Sequence, residues 1–288
     1  MTTFTLTCGA STLTLGRRTL IMGIVNVTPD SFSDGGLFFS TEQAIAQAMQ
    51  MVEAGVDILD IGGESTRPYS DPVDEAAEAD RVLPVIEGIA ARTPVPISID
   101  TTKAAVARQA VAAGATLIND ISALRSDPLM AETAAHADVP LILMHMKGTP
   151  KTMQVDPVYD DLIGDVRAFL ARAMAHALDA GVRREAIILD PGIGFGKTVA
   201  HNLQILRHLR QFDDLAAPLL IGPSRKMFIR QLVKPVAEKD IDPRSAEVAW
   251  GTQAAVAAAA MNGAHIVRVH DVARARATLA VVDAIRAA

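Results

Sequence analysis

AGVDI (54–58), AGATL (113–117), AGVRREAII (180–188) and NGAHI (262–266) are one joint written four times. In each, a helical stretch closes on a glycine and an apolar run begins within a few residues. A glycine there suits the left-handed residue that ends a helix. Working outward from these joints, apolar runs fall at 20–25, 57–61, 95–99, 115–118, 139–144, 186–189, 218–221 and 264–269. They are continuous rather than alternating, which suits parallel strands buried on both faces. Amphipathic stretches lie between them, at 41–54, 74–91, 102–113, 128–137, 156–180, 201–211, 225–233 with 244–262, and 271–286. Eight β/α units in about 270 residues predict a (β/α)8 TIM barrel. The competing doubly wound sheet more often carries a glycine-rich turn after its first strand. Here that strand runs into Asn26-Val-Thr-Pro-Asp30. Ahead of the barrel, 4–7 and 12–15 alternate Thr with apolar residues around Cys8-Gly9-Ala10, which predicts a short N-terminal β-hairpin, a lid or a plug. With no linker and no low-complexity segment, 1–288 is expected to be a single domain.

Of the 288 residues, 50% are hydrophobic and 21% charged, and the net charge is −6, which suits a globular protein with a full core. That charge argues against a nucleic-acid or anionic-membrane partner, yet leaves room for a local anion site. The single cysteine, Cys8, excludes an intrachain disulfide and points to a reducing compartment, the cytoplasm. Neither a signal-peptide pattern nor an apolar run long enough for a bilayer is present in the sequence.

The unusual polar residues fall at the C-terminal ends of the predicted strands, the face where barrel active sites sit. Strand by strand they are Asn26; Glu64, Thr66 and Arg67; Asp100; Asn119 and Asp120; His145; Asp190; Ser224, Arg225 and Lys226; and Arg268 and His270. One such residue is explained by helix capping; a set drawn from all eight strands is not. Closure sets the eighth strand beside the first and the first beside the second. Arg268, His270, Asn26, Thr66 and Arg67 are therefore expected on one side. Two guanidiniums, an imidazole and a hydroxyl suit a multiply charged anion. The Asn26 oxygen suits Mg2+ held mainly by phosphate and water. The competing arrangement pairs Arg67 and Arg268 with Glu64 and Asp271. Asp100, Asn119, Asp190 and Lys226 suit a flat heterocycle rich in donors and acceptors; the alternative is a structural Asp–Lys pair. PGIGFGKT (191–198) is not a Walker A loop, because Pro191 stands where its first glycine belongs. His145 reads as core or pocket wall. His136, His176, His201 and His208, within helical stretches, read as surface residues.

MGIVNVTPDSFSDGG (22–36) and DIGGESTRP (60–68) resemble the signature loops of dihydropteroate synthases. The resemblance continues in order through SIDT (98–101), Asn119-Asp120, LMHMKGTP (143–150), DPGIGFGK (190–197), SRK (224–226) and RVHDV (268–272). It implies a transferase of folate biosynthesis that condenses (7,8-dihydropterin-6-yl)methyl diphosphate with 4-aminobenzoate. Further implications are Mg2+ as cofactor, sulfonamides as competitors, and a homodimer. Asp100, Asn119, Asp190 and Lys226 would form the pterin pocket, and Asn26, Arg268 and His270 the diphosphate and Mg2+ site. Thr66, Arg67, Pro68, Phe195 and the segment after Lys226 would form the 4-aminobenzoate site, with Ser224 among the substrate contacts. Asp34, Arg67 and Lys226 would be the catalytic set, Asp34 stabilising positive charge on the substrate. Many members carry Ser after Ser-Arg-Lys. This chain has Met227, which leaves backbone N–H groups for the 4-aminobenzoate carboxylate. Two rival readings share the barrel: a methyltetrahydrofolate-dependent corrinoid methyltransferase, which needs no diphosphate site, and a non-catalytic pterin-binding paralogue, which is expected to lose Asn26, Asp34 or Arg67.

Overall fold

The computed structural model describes residues 2–27, 36–65, 72–149, 151–153 and 156–288, with 36–40 described in backbone only. A hairpin, β1 (Phe4–Cys8) and β2 (Ser11–Leu15), precedes an eight-stranded parallel sheet. Its strands are β3 (Leu20–Asn26), β4 (Ile58–Gly62), β5 (Ile97–Asp100), β6 (Leu117–Asp120), β7 (Leu141–Met144), β8 (Ile187–Asp190), β9 (Leu220–Ile221) and β10 (Ile266–Val269). They pair in the order β8-β7-β6-β5-β4-β3-β10-β9. A bridge from Leu189 to Leu219 closes β8 on β9, with the Leu189 N–H donating to the Pro218 carbonyl at 2.9 Å. The fold is the expected (β/α)8 barrel.

Helices α1 (Gly36–Glu53), α2 (Glu75–Ala90), α3 (Ala104–Ala112), α4 (Met130–Ala137), α5 (Leu162–Asp179), α6 (Val199–Arg207), α7 (Met227–Val233), α8 (Ala246–Met261) and α9 (Val272–Ala287) lie between and after the strands. At the four repeated joints Gly55, Gly114, Gly181 and Gly263 hold φ of +83°, +117°, +95° and +112°, a region that glycine enters without steric cost. Several boundaries shift inward from expectation. α5 starts at Leu162 rather than 156 because the Asp161 carboxylate caps it, accepting the Gly164 N–H at 3.1 Å. The 95–99, 139–144 and 218–221 runs enter their strands through Pro96, Pro140 and Pro218. Each gives its carbonyl to a neighbouring strand, where no N–H is needed. The 201–211 stretch divides into α6 and a 3-10 turn, Leu209–Leu215.

The period-2 alternation of the strands separates two cores. Ile21, Leu59, Ile99, Ile118, Leu143, Leu189, Ile221 and Val267 face the helices. Leu20, Met22, Ile58, Leu117, Ile142, Ile188, Leu220 and Ile266 fill the barrel interior, together with Leu6, Cys8 and Leu15 of the hairpin. The hairpin is therefore a plug at the N-terminal end. Leu6 and Leu15 are 1% and 0% exposed, and each fully buried leucine contributes about 1.5–3 kcal/mol. Two residues above Ile58, Leu117, Ile188 and Ile266 the inward positions carry Asp60, Asn119, Asp190 and Arg268, and on β5 Asp100 follows the inward Ser98 in the same way.

Candidate active site

The polar layer sits directly on the apolar one. Two buried carboxylates, Asp60 (0% exposed) and Asp190 (6%), share it with Asn119 and with Asp100. Arg268, inward on β10, reaches over this layer. Its Nε donates to Asp60 Oδ2 at 2.5 Å and its Nη2 to Asp100 Oδ2 at 2.7 Å. Asn119 Nδ2 donates to Asp60 Oδ2 at 3.2 Å. Arg268 thus lies with the carboxylates. The neighbour argument from strand order missed this, because an arginine side chain is long enough to cross two strands. The anticipated partners go elsewhere: Glu64 pairs with Lys103, and Asp271 caps α9 and pairs with Arg274 at 2.8 Å. Asp120 alternates outward, and its carboxylate holds the Ser122 and Leu124 N–H groups.

Burial pushes the Asp100 carboxyl up to about 7; Arg268 opposes the shift, and Asp60 reinforces it. Burial likewise pushes Asp190 up to about 6, against the pull of the Gly192 N–H and then of Lys226, Lys197 and Arg268. Lys226, at the N-cap of α7, is lowered to about 8, first by burial and then by the Arg268 charge. Its Nζ lies 3.8 Å from the centre of the Phe195 ring. Three acids and the cations Arg268, Lys226 and Lys197 therefore share one small volume with their charges nearly balanced.

The 191–197 loop forms the wall beside Asp190. Gly192 has φ +74°, and its N–H donates to Asp190 Oδ1 at 2.7 Å. The Asn202 amide oxygen accepts the Gly194 N–H at 2.7 Å, and the Tyr159 hydroxyl donates to the Gly196 carbonyl at 2.8 Å. Phe195, 7% exposed, packs with Met144, Met146, Met153 and Ile121. A Cβ on Gly192 would stand 1.8 Å from the His145 carbonyl oxygen. Gly192→Ala is therefore expected to cost about 2–5 kcal/mol in urea denaturation, from backbone strain and overpacking together. A parent-like midpoint would mean that the loop is not packed as described.

His145 is buried as expected, with its ring edge-on to Phe169 at 4.8 Å. Ser224 Oγ lies 3.0 Å from His270 Nδ1, which brings two of the anticipated contacts together. Their turn is fixed by Arg225, at φ +57°, whose N–H donates to Thr252 Oγ1 at 3.2 Å. Met227 is 46% exposed at the start of α7. Asn26 closes β3 beside Gly62: a Cβ there would lie 3.9 Å from Asn26 Oδ1 and 3.8 Å from Asp100 Oδ2. Asp34, Thr66, Arg67 and Pro68 lie outside the described residues. His136 and His176 are exposed, whereas His201 is half-buried and completes the capping box of α6.

Two residues central to this geometry escaped the sequence reading. Asp60 is the one charge inside the 58–61 stretch and holds the inward phase set by Ile58, a signal the continuous apolarity concealed. Lys197 was set aside with the rejected phosphate loop.

The profile of the family described as pterin binding enzyme matches residues 22–270. The dihydropteroate synthase of Synechocystis sp. is 47% identical over 270 residues, 94% of this chain and 91% of that protein. The Xanthomonas albilineans dihydropteroate synthase structure with 4-aminobenzoic acid superposes with a TM-score of 0.90 at 44% identity, covering 100% of both chains. The Yersinia pestis dihydropteroate synthase structure with a sulfonamide drug complex gives 0.90 at 45% identity, over 99% of each chain. The Xanthomonas enzyme in complex with 7,8-dihydropteroate gives 0.87 at 42% identity, over 99% of each chain.

Proposed function

The chain belongs to the dihydropteroate synthases, within the pterin-binding enzymes, and from that premise we propose how its barrel mouth divides the work. The enzyme joins 4-aminobenzoate to a dihydropterin methylene with release of diphosphate, a step of folate biosynthesis. The observation that carries the division is the balanced acid–base layer of Asp100, Asn119, Asp190, Lys226 and Arg268 beneath Phe195. A pterin presents a guanidine-like edge of N–H donors, which a carboxylate accepts in bidentate fashion, and Asp190 is that acceptor. Asp100 and Asn119 complete the in-plane contacts, and Lys226 donates to the carbonyl side of the ring. Arg268, already charge-matched by Asp60, contributes fixed positive potential at the mouth. His270 and Ser224 face the diphosphate.

Asn26 is the protein oxygen for Mg2+. A single neutral amide oxygen suits an ion held chiefly by diphosphate and water. Mg2+ bound there would supply neutralising charge to the leaving diphosphate. An aromatic amine is a weak nucleophile, so an SN1-like course, in which departure of diphosphate runs ahead of attack, suits the layout. Asp34 stabilises the cation that develops on the pterin, and Arg67 the departing anion. Thr66, Arg67, Pro68 and Phe195 hold 4-aminobenzoate, the place where sulfonamides compete. All 288 residues act as one catalytic unit.

The protein acts as a homodimer. Met227 and Leu232 on α7, Trp250 and Met261 on α8, and Val281 and Ile285 on α9 are all at least 42% exposed, on helices that pack together. The setting is the cytoplasm, in keeping with one thiol, buried and pushed up to about 12 by that burial. No helix of the described residues is long and apolar enough to cross a membrane.

The experiment is a diphosphate-release assay with the pterin diphosphate and 4-aminobenzoate together and with each alone. Sustained release is expected to need both substrates and Mg2+, because 4-aminobenzoate carries the pterin cation on to product. Asn26→Ala is expected to raise the Mg2+ requirement at least about tenfold, a coupling of about 1.4 kcal/mol, while sparing a pterin that lacks diphosphate. Metal-independent release by the parent enzyme would remove Asn26 from this role.

A further inference from the structure

Lys197 is 3% exposed, and a lysine is almost never buried to that degree without a carboxylate partner. Among the described residues no acid lies within ion-pair distance of it. Its Nζ donates instead to two neutral acceptors, His145 Nδ1 at 2.8 Å and the Phe195 carbonyl at 3.0 Å. Burial, and then the Lys197 charge itself, push the His145 imidazole down to about 2. The ring is therefore neutral, with its Nδ1 lone pair turned to the ammonium. A hydrophobic side chain would fill this place with no charge to desolvate. The reason for a cation lies on the other side of the loop. A Cβ built on Gly192 would stand 3.4 Å from Lys197 Nζ, and the Gly192 N–H is the one that Asp190 accepts. The ammonium sits behind the turn that holds the carboxylate.

We propose that Lys197 is a positioning residue: seated behind the Gly192 turn, it keeps the Asp190 carboxylate charged and the Phe195 wall in place for the pterin. The inference rests on the reading of Asp190 as the acceptor of the pterin edge. The charged groups acting on Asp190 come from three elements: Lys197 on its own loop, Lys226 at the start of α7, and Arg268 on β10. Lys226 and Arg268 also answer to Asp100. Asp190 is the acid whose charge favours the Lys197 ammonium, while burial and Lys226 oppose it, so that Lys197 is lowered to about 7. Each partner's charge favours the ionised form of the other.

The test needs no pterin for its first arm. Carboxyl carbons of aspartate-labelled enzyme are followed by NMR from acid to alkaline pH, and Asp190→Asn identifies the resonance. In Lys197→Met the Asp190 midpoint is expected to rise by about one pH unit or more, and Lys197→Arg to restore part of the shift. Linkage requires the reverse effect, so the Lys197 ammonium of Asp190→Asn should titrate lower by a similar amount. That measurement stands even if the methionine variant does not fold. In the second arm, Lys197→Met weakens pterin binding about tenfold or more at neutral pH. The loss shrinks as the pH is raised, and the KM for the pterin diphosphate rises more than kcat falls. An unmoved Asp190 midpoint in a folded Lys197→Met, or an unmoved Lys197 midpoint in Asp190→Asn, overturns the proposal. Intact coupling with unchanged pterin binding in Asp190→Asn would instead overturn the reading of Asp190.

Discussion

Asp190→Asn is expected to weaken pterin binding by about 2–4 kcal/mol, the scale for breaking a buried charge-assisted pair. That is roughly 30- to 1000-fold in Kd. The amide oxygen can still accept the Gly192 N–H, so the loop should remain built. What is lost is the second anionic oxygen, and the amide N–H2 now faces the donor edge of the pterin. Stability should not fall with affinity. Burial raises the Asp190 carboxyl to about 6, above its unfolded value, so the folded state holds the extra proton between about 4 and about 6. The charged group then costs stability as pH rises through that window, and a neutral amide removes this cost. Binding runs the opposite way. The pterin selects the carboxylate, so parent affinity should be complete above about 6 and decline below it. The variant should lose this part of the pH dependence and keep whatever Asp100 contributes near 7. Calorimetry across that range, with urea denaturation alongside, checks both halves. Parent-like affinity in the variant would remove Asp190 from the pterin site.

The barrel was legible because its signals are local and repeated. Four glycine joints and eight apolar runs state the β/α alternation, and Pro96, Pro140 and Pro218 explain why three strands begin later than their apolar runs. The ring of polar residues was legible for the same reason: strand ends are visible in the sequence. The pairing within the ring was not. Asp60 and Arg268 stand 208 positions apart, and their contact depends on the inward phase of two strands and on the reach of one side chain. Inward phase could have been read from Ile58 and Ile266, two residues before each. Lys197 was hidden differently. Its importance lies in being buried against His145, and burial inside a glycine-rich loop leaves no periodic trace.

Arg268→Met is the substitution expected to harm folding most. Arg268 holds Asp60, which is fully buried, and Asp100 at the same time. Without the guanidinium the two carboxylates face each other, softened by the Asn119 amide on Asp60 and by the Lys226 charge acting on Asp100. Removing one partner of a buried ion pair costs about 3–5 kcal/mol, because the charge left behind has neither water nor a counter-ion. The pH dependence gives the mechanism away. In the parent, Asp100 is already raised to about 7, chiefly by burial, so its share of stability declines as pH rises from the unfolded carboxylate value towards 7. In the variant the Asp100 carboxyl, without the opposing guanidinium, should be raised further. The deficit should therefore be smallest near pH 5, where protons can replace the lost cation, and largest near pH 8. Urea denaturation at both values measures it. Asp60→Asn added to Arg268→Met should recover part of the loss at pH 8, since one of the two facing charges is gone. A deficit equal at the two pH values, or no recovery from the second change, would mean that the arginine acts by packing. The acid–base layer would then lose its claim to hold the barrel mouth together.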